Sequence, residues 1–182
     1  MAVTEIVVEN MKKFNKKRGL TLIEIIIAMA IMAIIGGVVT TMTISNNKIL
    51  SKVDMKSELQ MEGQIIQTQL TNVALESKGI YDVDFIENTD QIRSIMLDDG
   101  EYLHEFIISG NELIYQKLKN NDILQKKILS SNISTIQVIP STKDELKTSD
   151  HMEFNINLST NRGTQIVDYR VDNYISFRNF KK

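Results

Sequence analysis

Hydrophobic residues are concentrated in one block near the N-terminus. Residues 1–19 are polar and become basic towards their end, whereas residues 20–44 are mostly apolar and contain one ionisable residue, Glu24. A helix over the apolar block would extend about 37 Å at about 1.5 Å per residue, enough to cross a hydrocarbon core of about 30 Å. The pattern therefore predicts a transmembrane helix over residues 20–44.

The helical pattern continues beyond the apolar block and becomes amphipathic. Gly63 weakens this run without ending it, and Gly79 fits a C-terminal cap. We expect one long helix over about residues 20–78, whose 45–79 part packs on a sheet through an apolar stripe. The stripe consists of residues at three- and four-residue spacings or their sums: Ile49, Val53, Leu59, Ile66, Leu70 and Val73.

Strand patterns replace the helical pattern from residue 80 onwards, and residues 142–150 read as a polar loop. The fold class predicted is therefore α+β, a long N-terminal helix packed on an antiparallel sheet domain over 80–182. The predicted strands are 106–108 and 113–115 joined by a turn, 133–139 ended by Pro140, 152–158 and 165–171 joined by a turn at 160–163, and 174–180.

Composition narrows the classes of function. The 182-residue chain has a formal charge of −2, no cysteine and one proline. The missing cysteine excludes a disulfide scaffold, a thiolate metal site and a thiol nucleophile. The small net charge argues against a general nucleic-acid binder. With no Ser/His/Asp grouping and no glycine-rich phosphate loop, we expect no enzyme, no catalytic residues and no cofactor.

The charges around the apolar block predict its orientation. Residues 1–19 carry five basic and two acidic side chains, which places the N-terminus in the cytoplasm and exports the C-terminal part. A cleaved secretory signal is the rival interpretation, but the run is long and residues 40–43 offer no small-x-small cleavage site. An unprocessed anchor explains the length but not Glu24, because an isolated charge in lipid costs several kcal/mol.

The junction before the apolar block carries the most specific motif. It resembles the prepilin processing site of the type IV pilin superfamily, which includes major pilins, minor pilins, and the pseudopilins of type II secretion and competence systems. The resemblance implies a leader, residues 1–19, cut after Gly19 by a membrane aspartyl peptidase, and N-methylation of Leu20, where the family more often has Phe. The residues that carry it are Lys16-Lys17-Arg18-Gly19-Leu20-Thr21-Leu22-Ile23-Glu24.

The resemblance also implies roles for the flanking residues. Lys16, Lys17 and Arg18 would hold the scissile bond at the cytoplasmic face for peptidase recognition. The new amine of Leu20 would pair with Glu24 of its own chain or of a neighbouring subunit, and so fix the register of subunit assembly. The implied partners are the prepilin peptidase/methyltransferase, other pilin subunits, the inner-membrane assembly platform, and the membrane before assembly.

The distal chain bears on the subtype. Residues 128–133 and 174–179 resemble the C-terminal half of minor pilins of the PilW and GspJ type. This favours a minor pilin near the tip of a cell-surface pilus, in assembly initiation or surface presentation. A pseudopilin is the alternative, and a membrane-anchored binding domain that never polymerises is less favoured. Gly36-Gly37 weakens the helix, so unwinding around 36–43 on filament packing is a further hypothesis.

Other candidate chemistry is sparse, and we expect no metal site. His104 and His151 have no ligand-like spacing. Residues 98–100, Asp-Asp-Gly, predict a turn, although calcium loops favour the same residue types. No compact oxygen-rich loop gathers the residues Asn161, Asp168, Asp172 and Asn173. Solvated lysines, rather than a nucleic-acid site, are the favoured interpretation of the basic group Lys117, Lys119, Lys126 and Lys127.

Overall fold

One long helix begins the described part of the chain. The computed structural model describes residues 20–87 and 89–179. Helix α1 runs without interruption over Leu22–Glu76, which confirms the prediction of a single long helix. The described residues form two compact units that divide between Lys48 and Ile49, so α1 contributes to both.

The first unit is the apolar half of α1. Every residue from Leu20 to Leu50 is exposed, and α1 is long and apolar enough to cross a membrane. The helix continues through Gly36 and Gly37, where the Thr40 hydroxyl donates to the Gly36 carbonyl at 2.8 Å. Such back-bonding from threonine is typical of slightly bent helices. Unwinding on filament packing stays a prediction.

The second unit places two antiparallel sheets on the remainder of α1. The first sheet has the order β1-β2-β3-β4-β5, and the second has the order β6-β7-β8. This arrangement confirms the α+β prediction. The elements after α1 are β1 Gly79–Phe85, β2 Ile92–Asp98, β3 Leu103–Ser109, β4 Glu112–Lys119, β5 Asp122–Ser130, β6 Ile133–Ile139, α2 Lys143–Thr148, β7 His151–Arg162 and β8 Gln165–Ser176.

The buried face of α1 differs in part from the predicted stripe. Ile49 and Val53 are 58% and 57% exposed, so their assignment to the core is wrong. Six residues separate Val53 from Leu59, and six steps of about 100° turn the helix by about 240°, onto another face. The residues that α1 does bury lie three or four residues apart, and the last two both follow Leu70 at these spacings: Met55, Leu59, Gly63, Ile66, Leu70, Val73 and Ala74.

Turn chemistry explains the hairpins. The predicted hairpin around 109–112 is confirmed as β3–β4, with Gly110 at φ 60° in a two-residue turn. The β4–β5 hairpin was not predicted; it turns on Asn120 and Asn121, both at positive φ, which asparagine tolerates better than most residues. The β7–β8 turn lies further along than predicted, because Arg162 still pairs with Gln165.

Three other boundaries differ from prediction. The helix ends at Glu76, where the buried Ser77 hydroxyl donates to the Val73 carbonyl at 2.7 Å; Gly79 opens β1 and is not the cap. Residues 142–150 contain α2, because Leu146 is fully buried. Residues 174–176 end β8, and no separate strand follows among the residues described up to 179.

One carboxylate of α1 holds the connection between the two sheets. Ser130 donates its hydroxyl to Glu62 Oε2 at 2.5 Å, and Asn132 donates its amide to Glu62 Oε1 at 2.8 Å. The Asn132 carbonyl then accepts the backbone N–H of Ser159 at 2.8 Å. Glu62 therefore anchors the crossing from β5 to β6 to the helix.

Gly63 allows α1 to approach β8 closely. A Cβ atom at Gly63 would lie 2.7 Å from Val171 Cγ2 and 3.0 Å from Tyr169 Cε1. We expect Gly63→Ala to lower the free energy of unfolding by about 1 kcal/mol, because overpacking of about 1–3 kcal/mol exceeds the helix-propensity gain of about 1 kcal/mol. Chemical unfolding of the full chain in detergent, followed by circular dichroism, measures this.

Gly37→Ala is the matched control, since no atom lies within 4 Å of the corresponding Cβ position. It should leave the unfolding of the sheet domain unchanged. Equal or greater stability of Gly63→Ala relative to the unsubstituted protein would contradict the proposed close packing.

Candidate functional site

The first turn of α1 contains a reciprocal cap. The Thr21 backbone N–H and hydroxyl donate to Glu24 Oε2 at 2.8 and 2.9 Å. The Glu24 backbone N–H returns a hydrogen bond to Thr21 Oγ1 at 3.3 Å. This is a capping box, which satisfies the unpaired donors at a helix N-terminus. Negative charge at this end is also favoured by the helix dipole.

The cap changes the interpretation of Glu24. Glu24 was predicted to lack a partner until cleavage frees an amine at Leu20. In the structure, Thr21 already supplies it with two hydrogen-bond donors. The signal was available, since Thr-x-x-Glu before an apolar run is a capping-box pattern. The second oxygen, Oε1, accepts no hydrogen bond within the described residues. The predicted processing residues Lys16, Lys17, Arg18 and Gly19 lie outside the described residues.

The surface that follows the cap is apolar on all sides. Large side chains of successive turns remain exposed, for example Leu22 at 77%, Met32 at 74% and Ile34 at 68%. A helix that is hydrophobic all round is stable only inside lipid or among other apolar helices. This half of α1 therefore requires a membrane or a bundle of similar helices around it.

The two histidines lie in different surroundings. His104 is buried in β3, with Nδ1 2.8 Å from the Tyr115 hydroxyl and Nε2 3.0 Å from Asp99 Oδ2. His151 is exposed at the start of β7, where it contacts Asp150 and stacks on Tyr174. The part of the chain that the structure describes holds no group of three His, Cys, Asp or Glu side chains that could bind a metal.

The acidic turn between β2 and β3 is a structural turn, as predicted. Asp98 Oδ1 accepts the N–H of Gly100 at 2.7 Å, and Asp99 Oδ1 accepts the N–H groups of Glu101 and Tyr102, both at 2.7 Å. Burial raises the pKa of Asp99, but hydrogen bonds from His104 and those two backbone groups outweigh it and leave the pKa below its ordinary value.

The oxygen ligands considered on β7 and β8 are not brought together. Asp172 pairs with Arg170 at 2.7 Å. Asn173 is buried and its amide lies 3.4 Å from the Thr71 hydroxyl of α1. Asp168 is exposed, and Asn161 is exposed near the β7–β8 turn.

The four lysines of the predicted basic group lie on two strands and make different contacts. Lys117 lies 3.9 Å above the Tyr102 ring, and Lys119 pairs with Glu101 at 2.9 Å. Lys126 and Lys127 are exposed on β5. The four lysines are therefore not one uninterrupted basic surface.

Asp99→Asn is expected to lower the free energy of unfolding at pH 7 by about 1–3 kcal/mol, the usual loss for weakened buried hydrogen bonds to a charged group. Because the folded pKa of Asp99 is lowered, its stabilisation is present above the unfolded pKa of about 3.9 and is lost as pH falls through the folded value. The unfolding midpoints of the unsubstituted protein and of Asp99→Asn should therefore differ less at pH 3 than at pH 7.

Asp84→Asn provides the control for Asp99→Asn. Asp84 forms an exposed ion pair with Arg93 at 3.1 Å, and such pairs contribute about 0–1 kcal/mol. A loss for Asp84→Asn as large as that for Asp99→Asn, or a difference for Asp99→Asn that is as large at pH 3 as at pH 7, would contradict the role given to Asp99.

Comparison with known proteins finds one relation, at the N-terminus. Residues 14–40 match the prokaryotic N-terminal methylation motif. No curated protein matches the chain significantly, and no solved structure does so. The matched residues contain the Thr21–Glu24 cap and the start of the exposed apolar helix. The motif therefore supports a type IV pilin-like or pseudopilin protein that is processed by a prepilin peptidase.

Proposed function

We propose that the chain is a minor type IV pilin-like subunit, processed at its N-terminus and assembled into a pilus through residues 20–44. The observation that carries this proposal is the coincidence of three features in one segment. The methylation motif spans residues 14–40, a capping box fixes the first helical turn, and the following helix exposes apolar side chains on every face.

The proposed processing has a physical basis in the leader. Lys16, Lys17 and Arg18 would hold the scissile bond at the cytoplasmic membrane surface, where anionic lipids attract basic residues. Gly19 would enter the peptidase without a side chain to accommodate. Cleavage after Gly19 would leave Leu20 as the new N-terminus, one residue before the Thr21 cap, and N-methylation would retain its positive charge.

Glu24 is suited to link subunits because its two oxygens are used differently. Oε2 accepts both hydrogen bonds from Thr21, whose backbone N–H remains an amide after the proposed cut. Oε1 would then accept the ammonium of Leu20, from the same chain or from its neighbour. A charge pair of this kind among apolar helices contributes specificity of register more than stability.

The assignment to a minor subunit is supported by the part of the chain that resembles minor pilins. Leu129 is buried and Asn132 bonds to Glu62, so the 128–133 segment joins the sheets to α1. The Asn179 amide donates to the Glu76 carbonyl at 3.2 Å, so the final Arg-Asn step satisfies the end of the helix. A pseudopilin of a secretion or competence system remains the second candidate, because the N-terminal motif serves both.

The first prediction concerns processing in the native host. Intact mass and N-terminal sequencing should give a chain that starts at N-methylated Leu20, and only when the prepilin peptidase is present. In a peptidase-deficient strain, the chain should retain residues 1–19. A start at Met1 in both strains, or a cut beyond residue 44, would contradict the proposal.

The second prediction concerns assembly. Glu24→Gln removes the negative charge but keeps the shape and one oxygen that can accept the hydrogen bonds from Thr21, so we expect at least a tenfold loss from the sheared filament fraction with an unchanged amount in the membrane. Asp54→Asn, an exposed acid further along α1, is the control and should assemble normally. Normal assembly of Glu24→Gln would contradict the role given to Glu24, whereas absence of the unsubstituted chain from the filament fraction would favour the anchored domain that never polymerises.

A further inference from the structure

We propose that strand β5 of one copy pairs with strand β8 of a second copy, in antiparallel register with Lys126 opposite Asp168, so that the sheets of neighbouring head domains join edge to edge. This inference rests on the proposed function in one respect: the α1 helices of the two copies run side by side in the same sense.

Two of the four outer strands are left uncovered within the described residues. Strand β1 is flanked by α2, whose Lys143 and Lys147 pair with Asp82 at 2.6 and 3.1 Å. Strand β6 is connected to the first sheet through the Gln91–Gln137 bridge. Strands β5 and β8 each pair on one side only. An outer strand presents unpaired backbone donors and acceptors, which is a template for another strand.

The outer strand β5 is exposed on both of its faces. Residues 122–128 are all exposed, although they include three large aliphatic side chains. Lys127 faces α1, because it lines an open groove with Met61 and Ile65. From Gln125 onwards, beyond a register shift in the β4–β5 pairing, successive side chains alternate, so Lys126 and Ile128 lie on the face away from the helix.

The outer strand β8 alternates in the same way. Val171 and Tyr169 approach α1 at Gly63, so the odd-numbered residues face the helix. Its even-numbered residues face away and include Ile166, 67% exposed, and Asp168. The faces of β5 and β8 that point away from α1 would therefore be continuous across a joined pair.

The direction of the strands relative to α1 makes the pair antiparallel. The end of β5 contacts α1 at Glu62. Its beginning follows the β4–β5 turn, next to Lys119, which pairs with Glu101. The neighbouring Gly100 lies against Lys78, just beyond the end of α1. Strand β5 therefore runs against α1.

Strand β8 runs with α1. Val171 lies beside Gly63 and Asn173 beside Thr71, and Asn179, beyond the end of the strand, lies beside Glu76. Two copies in the same sense place β5 and β8 in opposite directions. By contrast, β5 against β5 would be parallel and would bring lysines together.

Side-chain chemistry fixes the register. With Lys126 opposite Asp168, the exposed Ile128 faces the exposed Ile166. None of Lys126, Lys127 and Asp168 has an ion-pair partner within the described residues. A shift of two residues would place Lys126 opposite Arg170 or opposite Ile166, which loses the charge pair. Opposite charges and apolar pairs directly across antiparallel strands each contribute about 0.2–1 kcal/mol.

The extent of the pairing is also defined. The register shift before Gln125 interrupts the regular pattern of β5, so the contact comprises residues 125–128 against 166–169. The two surfaces differ, which makes the contact head-to-tail, and such contacts extend into open chains unless the rotation closes them. A filament with this contact must hold at least two adjacent copies of the chain.

The absence of cysteine from the chain makes the contact directly testable. Opposed residues in antiparallel strands bring Cβ atoms within about 4.5–5.5 Å, close to disulfide geometry. We expect the full-length double variant Lys126→Cys/Asp168→Cys, oxidised in intact native cells with copper phenanthroline, to form a crosslinked ladder that begins at the dimer and extends as far as copies of the chain are adjacent. The pair Ile128→Cys/Ile166→Cys should give the same ladder.

The off-register pair Lys126→Cys/Arg170→Cys is the matched control and should crosslink at least fivefold less. Each single-cysteine variant should remain monomeric. Dimers from Lys126→Cys alone, equal crosslinking of the off-register pair, or no ladder from either in-register pair would overturn the inference.

Sheared filaments are assayed in parallel. Filaments that contain the chain without a ladder overturn only the edge contact, whereas a ladder without filament incorporation supports the contact and overturns the proposed pilus subunit.

Discussion

The sheet domain depends on one narrow stripe of a helix that serves two different surroundings. Up to Leu50, α1 exposes its apolar side chains on all sides, which suits lipid or other helices. From Met55 onwards, only the face that meets the sheets is buried. The buried residues of this stripe share one core with both sheets, so the domain depends on the stripe to bring together strands that are distant in sequence. Gly63 keeps the distance between helix and sheet short on the β8 side, and Glu62 anchors the other side.

The elements that could be predicted from sequence are those whose signal is local. The continuous helix follows from apolar periodicity. Strand β6 ends just before Pro140, and the β3–β4 turn needs the positive φ of Gly110. The amphipathic stripe was wrong at Ile49 and Val53, because a sum of short spacings does not keep residues on one face. The capping box at Thr21 and Glu24 is also a local signal, carried by the Thr-x-x-Glu pattern, but it was not predicted.

The remaining features depend on contacts that no local pattern encodes. Glu62 and Ser130 are 68 residues apart, and neither residue type signals the other. Strand β5 lacks alternation between buried and exposed positions because both of its faces meet solvent, so its pattern is not that of a half-buried strand. Helix α2 has a single buried residue, Leu146, which a polar stretch of six residues does not reveal. Such elements become visible only once the sheets are assembled.

The charges on the uncovered strands account for selective rather than indiscriminate pairing. Lysines on an outer strand are a common protection against pairing with identical strands, since like charges directly opposite destabilise the contact. Lys126 therefore disfavours pairing between the β5 strands of two copies. The acidic Asp168 makes β8 the edge that is complementary to Lys126. Specificity of this kind combines an attractive pair with a repulsive alternative. Because α2 covers β1 but nothing described covers β5 or β8, the fold protects one edge and leaves open the two whose charges are complementary.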